Sequence, residues 1–448
     1  MKFLKGYQKI RDVTNSKGFV ALLKKDDRYY ICRYATRGHV VNFVSEYDLV
    51  DNALSFQTPI SESVGHQILD RIGQGEPFSD AFIFYKAPLL DIAIPVEHSN
   101  LEHQYTSTGI KFWRHQEQMW NYRNGDPNTV VSTHISPEGA CNLKCSYCSV
   151  TYRDTHSRIP LEVIQDYVIK LKSRGLRAVI LTGGGEPTAY KQFNELVRWL
   201  HNQDLDIGLV TNGTKHLWDR VDDDVCKMFT WVRVSINIYQ GWEENIQLPV
   251  NRFDHDRTTI GCSMVYTVEH ETISTEDKVT LFKRVSALAD RNRARYIRML
   301  PNCLLEQDNL LAQHRVLDSV LRTVNDSRFF HQYKTHRTPT SSVCHQSYFR
   351  PYLSEEVHSV TGNPGTVYPC DSVVLNNAQQ FYSSEYELCH ASEILDYLDK
   401  KIQPGFNPTK SCQGCVHTDN IDMLESWVNG QVDRFKEFPL PIVHENFV

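Results

Sequence analysis

The stretch "CNLKCSYC", from Cys141 to Cys148, places three cysteines within eight residues at C-x3-C-x2-C spacing. Clustered thiolates select zinc, copper(I) or iron–sulfur clusters. A structural zinc site needs a closed set of four ligands. The next cysteine along the chain, Cys226, is far away in a segment that is predicted to be helical. A cubane iron–sulfur cluster held by the three thiolates would instead leave one iron open for a small-molecule ligand.

Length and composition narrow the class of protein. At 448 residues the chain is long enough for two or three domains, and its net charge of -6 gives no global reason to bind nucleic acid or an anionic membrane. No segment approaches the roughly 18–20 apolar residues of a membrane span, and the first residues lack the apolar core of a signal peptide. We therefore expect a cytoplasmic protein without membrane partners, in which clustered cysteines serve metal or redox chemistry rather than disulfides.

The chain divides into three predicted regions. Residues 1–125 read as a small α+β domain, with strands in "FVALLKKDDRYYICRY" and "HVVNFVSEYDLV" and a helix in "SESVGHQILDRIGQG". Residues 126–330 alternate strand and helix, which predicts parallel strands joined by right-handed crossovers. From 331 to 448 this alternation stops, and a loop-rich region that carries cysteines follows.

The middle region predicts the fold class, an α/β protein with a partial (βα)6 barrel. Its six predicted strands are VVSTHIS, RAVILT, DIGLVTNG, TWVRVSINI, GCSMVYT and YIRML. Ligands in such folds bind at the carboxyl ends of the strands. The cysteine loop follows the first strand, "TGGGEPT" the second and "TNGT" the third. We therefore expect the three segments to lie together at the carboxyl ends of the strands.

The cysteine loop resembles that of the radical S-adenosylmethionine superfamily, with Tyr147 at the aromatic position of the motif. The resemblance implies that Cys141, Cys145 and Cys148 hold a catalytic [4Fe–4S] cluster whose open iron chelates S-adenosylmethionine. It implies reductive cleavage to a 5′-deoxyadenosyl radical, which abstracts hydrogen from a substrate for oxidation or rearrangement. An electron donor such as flavodoxin or ferredoxin is then expected as a partner.

Further positions resemble the S-adenosylmethionine site of that superfamily. The segment "GGGEP" matches the part that receives the amino group of S-adenosylmethionine, and a carboxylate there suits an ammonium. Strand-end polar residues match positions near the ribose and the methionyl group. The residues implied as cofactor-binding are Tyr147, Gly184, Gly185, Glu186, Pro187, Thr211, Asn212, Ser235, Asn237 and Arg298.

A second cysteine group lies in the C-terminal region. The pattern C…G-x4-C…C-x2-C resembles a Twitch domain, the shorter relative of the SPASM domain. It implies an auxiliary [4Fe–4S] cluster with four protein ligands and a role as electron relay. The implied ligands are Cys344, Cys370, Cys412 and Cys415, while Cys389 is a spare thiol that could replace one of them. A zinc site remains an alternative for this group, which would make the chain a non-catalytic zinc-binding module.

The motifs do not identify the substrate. One hypothesis is a peptide or a small metabolite, with the N-terminal domain taking part in its recognition. A nucleotide, or a base in nucleic acid, is the alternative. The basic run from Lys283 to Arg298 is typical of a solvated helix surface but could also attract a phosphate-bearing substrate.

Overall fold

The computed structural model describes most of the chain, and the described residues form two compact parts. The residues before Asn100, with 429 and 430, make the first part, and those from Asn100 to Val428, with 442–448, make the second. The described ranges are 8–15, 18–25, 28–34, 40–43, 49–50, 53–54, 62–74, 96–236, 245–267, 273–305, 307–334, 336–375, 384–401, 406–412, 414–430 and 442–448.

The first part contains a four-stranded antiparallel sheet in the order β1-β2-β3-β4. The predicted strand pair and the predicted helix are confirmed, and β1 was not predicted. On α1, Leu69 and Ile72 are buried one turn apart, as expected for an amphipathic helix. The elements are β1 Gln8–Asn15, β2 Gly18–Lys25, β3 Arg28–Tyr34, β4 Val40–Phe43, β5 Leu49–Val50, β6 Ala53–Leu54 and α1 Glu62–Gly73.

The second part is built on one mostly parallel sheet. Its six predicted strands are confirmed as β7 to β12. The strands are β7 Ser132–Ile135, β8 Ala178–Leu181, β9 Asp206–Thr211, β10 Trp231–Ser235, β11 Thr259–Val265, β12 Tyr296–Leu300, β13 Phe329–His331, β14 Tyr352–Val357, β15 Pro364–Tyr368 and β16 Cys389–His390.

Helices connect these strands, and the helices predicted after β7, β8, β11 and β12 are confirmed. Ser274 caps the helix after β11, where its hydroxyl oxygen accepts a hydrogen bond from the Asp277 backbone N–H at 3.1 Å. The helices are α2 Val96–Tyr105, α3 Gln116–Arg123, α4 Leu161–Lys172, α5 Phe193–His201, α6 Lys215–Trp218, α7 Asp223–Cys226, α8 Thr275–Arg291, α9 Gln307–Leu321, α10 Ile394–Leu398, α11 Pro408–Ser411 and α12 Thr418–Val428.

Among the described residues the sheet has ten strands in the order β13-β12-β11-β10-β9-β8-β7-β14-β15-β16. The strands from β13 to β14 pair in parallel, so their carboxyl ends share one edge. Only β15 and β16 pair antiparallel, on the β14 side. The sheet therefore extends beyond the six predicted strands on both sides, and the cysteine loop after β7 is flanked by the loops of two neighbouring strands.

Residues between 100 and 125 pack within the second part. The Trp113 ring meets the Trp427 ring edge-on at 5.6 Å, and Phe112 meets Phe349 in the same way at 5.4 Å. The division between the two parts therefore falls near residue 100 rather than near 125. The finer layout, with a separate partial barrel and a separate C-terminal domain, stays a prediction.

The last described segment fills the amino-terminal end of the sheet. Phe447 packs against Ala178, Ile180 and Trp231, and the first and last of these begin their strands. The rings of Phe447 and Trp231 are 5.4 Å apart. No helix within the described ranges is long and apolar enough to span a membrane.

Candidate active site

The first cysteine group lies in the loop between β7 and α4. Cys141, Cys145 and Cys148 are partly exposed, and none of the three is in a disulfide. The Cys148 backbone N–H donates to the Cys145 carbonyl oxygen at 3.2 Å. The Arg153 guanidinium donates to the Cys148 sulfur at 3.7 Å. Such hydrogen bonds to sulfur stabilise the thiolate form that a metal ligand requires.

The glycine run after β8 pairs with the backbone just before the first cysteine. The Gly185 N–H donates to the Glu138 carbonyl oxygen, and the Glu186 N–H donates to the Ala140 carbonyl oxygen, both at 2.9 Å. A Cβ atom on residue 185 would lie 2.1 Å from that Ala140 oxygen. Glycine is therefore required for this close approach, which fixes the start of the cysteine loop.

A buried carboxylate lies beside the neighbouring glycine. The Gly184 N–H donates to the Ser136 hydroxyl oxygen at 2.7 Å. A Cβ atom on residue 184 would lie 1.7 Å from Glu355 Oε1. This oxygen is buried and accepts no hydrogen bond from the described residues. Burial raises the pKa of Glu355, so the neutral acid is favoured there.

Glu186 is tied to the loop of the next strand. Its Oε1 accepts from the Thr188 backbone N–H at 3.2 Å, from the Thr188 hydroxyl at 2.7 Å and from the Thr211 hydroxyl at 2.6 Å. Its Oε2 accepts from the Asn212 N–H at 2.7 Å. Burial raises the pKa of Glu186, while these hydrogen bonds favour the carboxylate and lower it. Glu186 is only 3% exposed, so it positions two loops rather than facing open space.

Asn212 connects the loop after β9 to the cysteine loop. Its side-chain amide donates to Asn142 Oδ1 at 2.7 Å and approaches the Cys141 sulfur at 3.9 Å. Its own oxygen accepts from the Thr214 hydroxyl at 2.6 Å. The first cysteine therefore has a polar neighbour that Glu186 holds through the Asn212 backbone.

A central cavity of about 350 Å³ runs along the strands, from Trp231 and Tyr296 at the start of β10 and β12 to Ser235 and Leu300 at their ends. Three of the predicted cofactor residues line it: Tyr147, Ser235 and Arg298. Asn237 lies outside the described residues. The remaining predicted residues are not among the described residues that line the cavity; they are Gly184, Gly185, Glu186, Pro187, Thr211 and Asn212.

Basic residues that the motifs did not reveal also line the cavity. Besides Arg298, the lining includes Lys111, Arg233, Lys334 and Arg350. Asp371 is the one carboxylate among the described lining residues. Sequence reasoning missed them because they lie on different elements. One of them could have been found from the sequence. Arg233 lies two residues before Ser235 on β10, and residues two apart on a strand point to the same face, so both line the cavity.

The second cysteine group comes together in space. Cys344, Cys370, Cys412 and Cys415 line one narrow cavity, and Cys389 is not among the described residues around it. Burial, and then the neighbouring Cys415, raises the pKa of Cys344 to about 12. Burial also raises the pKa of the other three thiols. These thiols stay protonated unless a nearby positive charge stabilises their thiolates.

The two cavities share a wall. Ser372, Val416 and His417 line both the central cavity and the four-cysteine cavity. Cys148 of the first group and Cys370 of the second pack against one apolar cluster that includes Val150. The two cysteine groups therefore contact the same apolar cluster.

Comparison with known proteins agrees with this geometry. Residues 135–259 match the sequence model of the Radical SAM superfamily. The match is a likeness of this stretch, and not of the whole chain, to a radical SAM domain. The stretch contains the cysteine loop and the loops after β8 and β9.

Two curated relatives align with a short part of the chain. An "S-adenosylmethionine-dependent nucleotide dehydratase" of Selenomonas ruminantium is 31% identical over 84 residues, which are 19% of this chain and 30% of the relative. A "Probable GTP 3′,8-cyclase" of Pyrococcus horikoshii is 36% identical over 86 residues, which are 19% of this chain and 27% of the relative. The alignments thus span less than a third of either relative.

One solved structure resembles a larger share of the chain, but less closely. SuiB of Streptococcus suis is 12% identical, with 84% of this chain and 89% of that chain covered at a TM-score of 0.38. A likeness at this level says nothing about substrate.

Glu186→Gln tests whether this carboxylate supports the binding of S-adenosylmethionine. The amide keeps the size but replaces one accepting oxygen by a donor, so at least one loop contact is lost. Hydrogen bonds to charged groups contribute ~1.5–3 kcal/mol, so we expect S-adenosylmethionine affinity to fall about tenfold to a hundredfold, with iron content unchanged. Equilibrium dialysis of the reconstituted protein measures this. Glu195→Gln, on the exposed side of α5, is the matched control, and an unchanged dissociation constant in Glu186→Gln would remove Glu186 from the site.

Proposed function

We propose that this chain is a radical S-adenosylmethionine enzyme that acts on a substrate held in the central cavity. The observation that supports it most is the position of the three-cysteine loop. That loop is fixed by the glycine run on one side, carries Tyr147 on the cavity wall, and is contacted by Asn212 at Cys141. Oxidation and rearrangement of the substrate are both open as the net reaction.

The donor set suits a cluster with an open iron. Cys141, Cys145 and Cys148 are partly exposed and form no disulfide, so their sulfur atoms can serve as ligands beside the cavity. When bound, a [4Fe–4S] cluster supplies the electron that cleaves S-adenosylmethionine to the 5′-deoxyadenosyl radical. Arg153 and Asn212 contribute N–H groups at two of the sulfurs, at 3.7 and 3.9 Å. They tune the charge on these ligands.

The cavity residues have separable roles in this proposal. Tyr147 and Ser235 provide backbone and hydroxyl contacts for the adenosyl group. Arg298 provides a guanidinium for the methionyl carboxylate. Glu186 holds the loops after β8 and β9 together and so positions Asn212. The glycines Gly184 and Gly185 let the backbone approach the ligand and the cysteine loop closely.

The four-cysteine cavity fits an auxiliary [4Fe–4S] cluster held by Cys344, Cys370, Cys412 and Cys415. Four thiols that burial and mutual repulsion keep protonated would be ionised by a bound metal cluster. The shared wall with the central cavity supports a role as electron relay between substrate and a donor such as flavodoxin or ferredoxin. Zinc fits the same donors. Within the described residues no three His, Cys, Asp or Glu side chains are arranged to hold a single metal ion.

The substrate class is open between two candidates. A peptide or small metabolite, recognised in part by the N-terminal domain, is the first. A nucleotide is the second, and the names of the two curated relatives favour it.

Anaerobic reconstitution with iron and sulfide tests the proposed function. We expect two cubane clusters per chain, broad absorbance in the visible range, and 5′-deoxyadenosine formed from S-adenosylmethionine in the presence of dithionite. Metal analysis and chromatography of the reaction measure both. A colourless protein that binds zinc stoichiometrically and forms no 5′-deoxyadenosine would show a zinc-binding module instead.

A further inference from the structure

The central cavity carries more positive charge than its own carboxylate can neutralise. Of the five lysine and arginine residues among its described lining residues, only Arg350 lies near the lining carboxylate, with its guanidinium 3.6 Å from Asp371 Oδ1. Two histidines, His134 and His417, also approach this carboxylate, at 3.4 and 3.9 Å. Arg350 also donates to the Val448 carbonyl oxygen at 3.1 Å. The other four are Lys111, Arg233, Arg298 and Lys334.

The neutral contacts of these residues hold them in place without cancelling their charge. The Lys111 ammonium donates to the His444 carbonyl oxygen at 3.0 Å. The Arg233 guanidinium donates to the Tyr105 carbonyl oxygen at 2.7 Å and to the Tyr296 hydroxyl at 3.1 Å. The contacts of Arg233 are hydrogen bonds to uncharged groups, so its charge remains. Burial, and then repulsion by Arg233, lowers the pKa of Lys111 to about 7, so Lys111 is only partly charged near neutral pH.

Arg298 and Lys334 are the least compensated pair. Arg298 Nε is buried and has no hydrogen-bond partner among the described residues. Burial, and then repulsion by Arg233, lowers the pKa of Arg298 to about 9. Burial also lowers the pKa of Lys334, and Arg298 adds to this. Such shifts mark cations that lack an anion.

The nearest further carboxyl group compensates them only in part. Glu102 acts electrostatically on both Arg298 and Lys334, but burial raises the pKa of Glu102 to about 7. Near neutral pH it is therefore only partly ionised. It forms no ion pair with either residue among those described.

S-adenosylmethionine does not supply the missing negative charge. It brings one carboxylate, which a single guanidinium such as Arg298 would satisfy, but it also brings an ammonium and a sulfonium. Its binding therefore adds net positive charge to the cavity. A buried cation without a partner is disfavoured, so a strongly anionic molecule beside S-adenosylmethionine would stabilise the charged forms of these residues.

We propose that the substrate is a small phosphorylated molecule whose phosphate groups bind Lys334 and other cations that line the cavity, and that its organic part is a planar ring, as in a nucleotide. This rests on the proposed function and narrows its substrate class. Phosphates accept several charge-assisted hydrogen bonds at once, which suits a cavity lined by several cations. Apolar side chains such as Val265, Val374 and Leu375 also line the cavity and can pack against a ring.

Nucleotide binding to the whole, reconstituted chain tests this. With S-adenosylmethionine bound under anaerobic conditions, GTP and ATP should each bind at least tenfold more tightly than guanosine and adenosine, measured by isothermal titration calorimetry. The affinity for GTP should fall as ionic strength rises. Lys334→Gln should weaken GTP binding about tenfold or more, and Lys334→Arg should restore most of it. Lys227→Gln, an exposed lysine at the end of α7, should leave GTP binding as in the wild type.

Three results would overturn the proposal. They are equal affinity for GTP and guanosine, tighter binding of an acidic peptide than of either nucleotide, and no nucleotide binding by the folded wild type. The wild-type measurements stand even if Lys334→Gln fails to fold. Formation of 5′-deoxyadenosine in the same samples reports on the proposed function separately. Cleavage without nucleotide binding rejects only the anion site, and Lys334-dependent binding without cleavage rejects only the radical chemistry.

Discussion

Replacing Cys145 with alanine should abolish the reductive cleavage of S-adenosylmethionine. Cys145 is the middle thiol of the three-cysteine loop, and its carbonyl oxygen also anchors the Cys148 N–H at 3.2 Å. With only two sulfurs left on this loop, a cubane with one open iron has no stable set of ligands. We expect 5′-deoxyadenosine to fall below detection and about half of the bound iron to be lost.

A second cysteine provides the control for this result. Cys226 on α7 is fully buried and lies in none of the described cysteine groups. Cys226→Ala removes a thiol of the same size from the core, so it should lower the unfolding temperature slightly and leave 5′-deoxyadenosine formation as in the wild type. If pure Cys145→Ala still forms 5′-deoxyadenosine at the wild-type rate, the three-cysteine loop is not the cluster site.

The parallel strands could be predicted because each is a short apolar run that ends in turn residues. All four residues of β8 are buried, for example, as expected for a strand covered on both faces. The strands that sequence reasoning missed lack this signal. β13 has only three residues. β14 carries "YLSEEV", and its partner β7 lies far away in the chain, as the bond from Thr133 to the Pro351 carbonyl oxygen shows with its separation of 218 residues.

The site could be predicted in its motifs but not in its contacts. The sequence places a carboxylate, Glu186, after β8. It does not show that the Thr211 hydroxyl and the Asn212 N–H, at the end of the next strand, donate hydrogen bonds to that carboxylate. The cations of the cavity were hidden for a similar reason. Lys111 and Lys334 carry no motif, and only the fold brings them to the same wall.

The largest effect expected in the C-terminal region comes from the double variant Cys412→Ala, Cys415→Ala. These thiols line the same narrow cavity as Cys344 and Cys370, so removing two of four ligands should prevent cluster binding there. Because both predicted clusters carry the same number of irons, the variant should lose about half the iron of the wild type. Inductively coupled plasma analysis of the anaerobically reconstituted protein measures this loss.

The double variant should still cleave S-adenosylmethionine, because the open iron is expected on the first group. It should fail to form product, because a substrate radical would have no electron acceptor beyond the wall of Ser372 and His417. Metal binding can also contribute folding energy, so circular dichroism on the same sample must show a folded chain.

Cys389→Ala is the matched control, since Cys389 is buried on β16 and its replacement should leave the iron content unchanged. Loss of iron from Cys389→Ala would instead make Cys389 a ligand. A folded double variant that lacks the second cluster and still turns over substrate at the normal rate would show that the four-cysteine site is structural, not an electron relay.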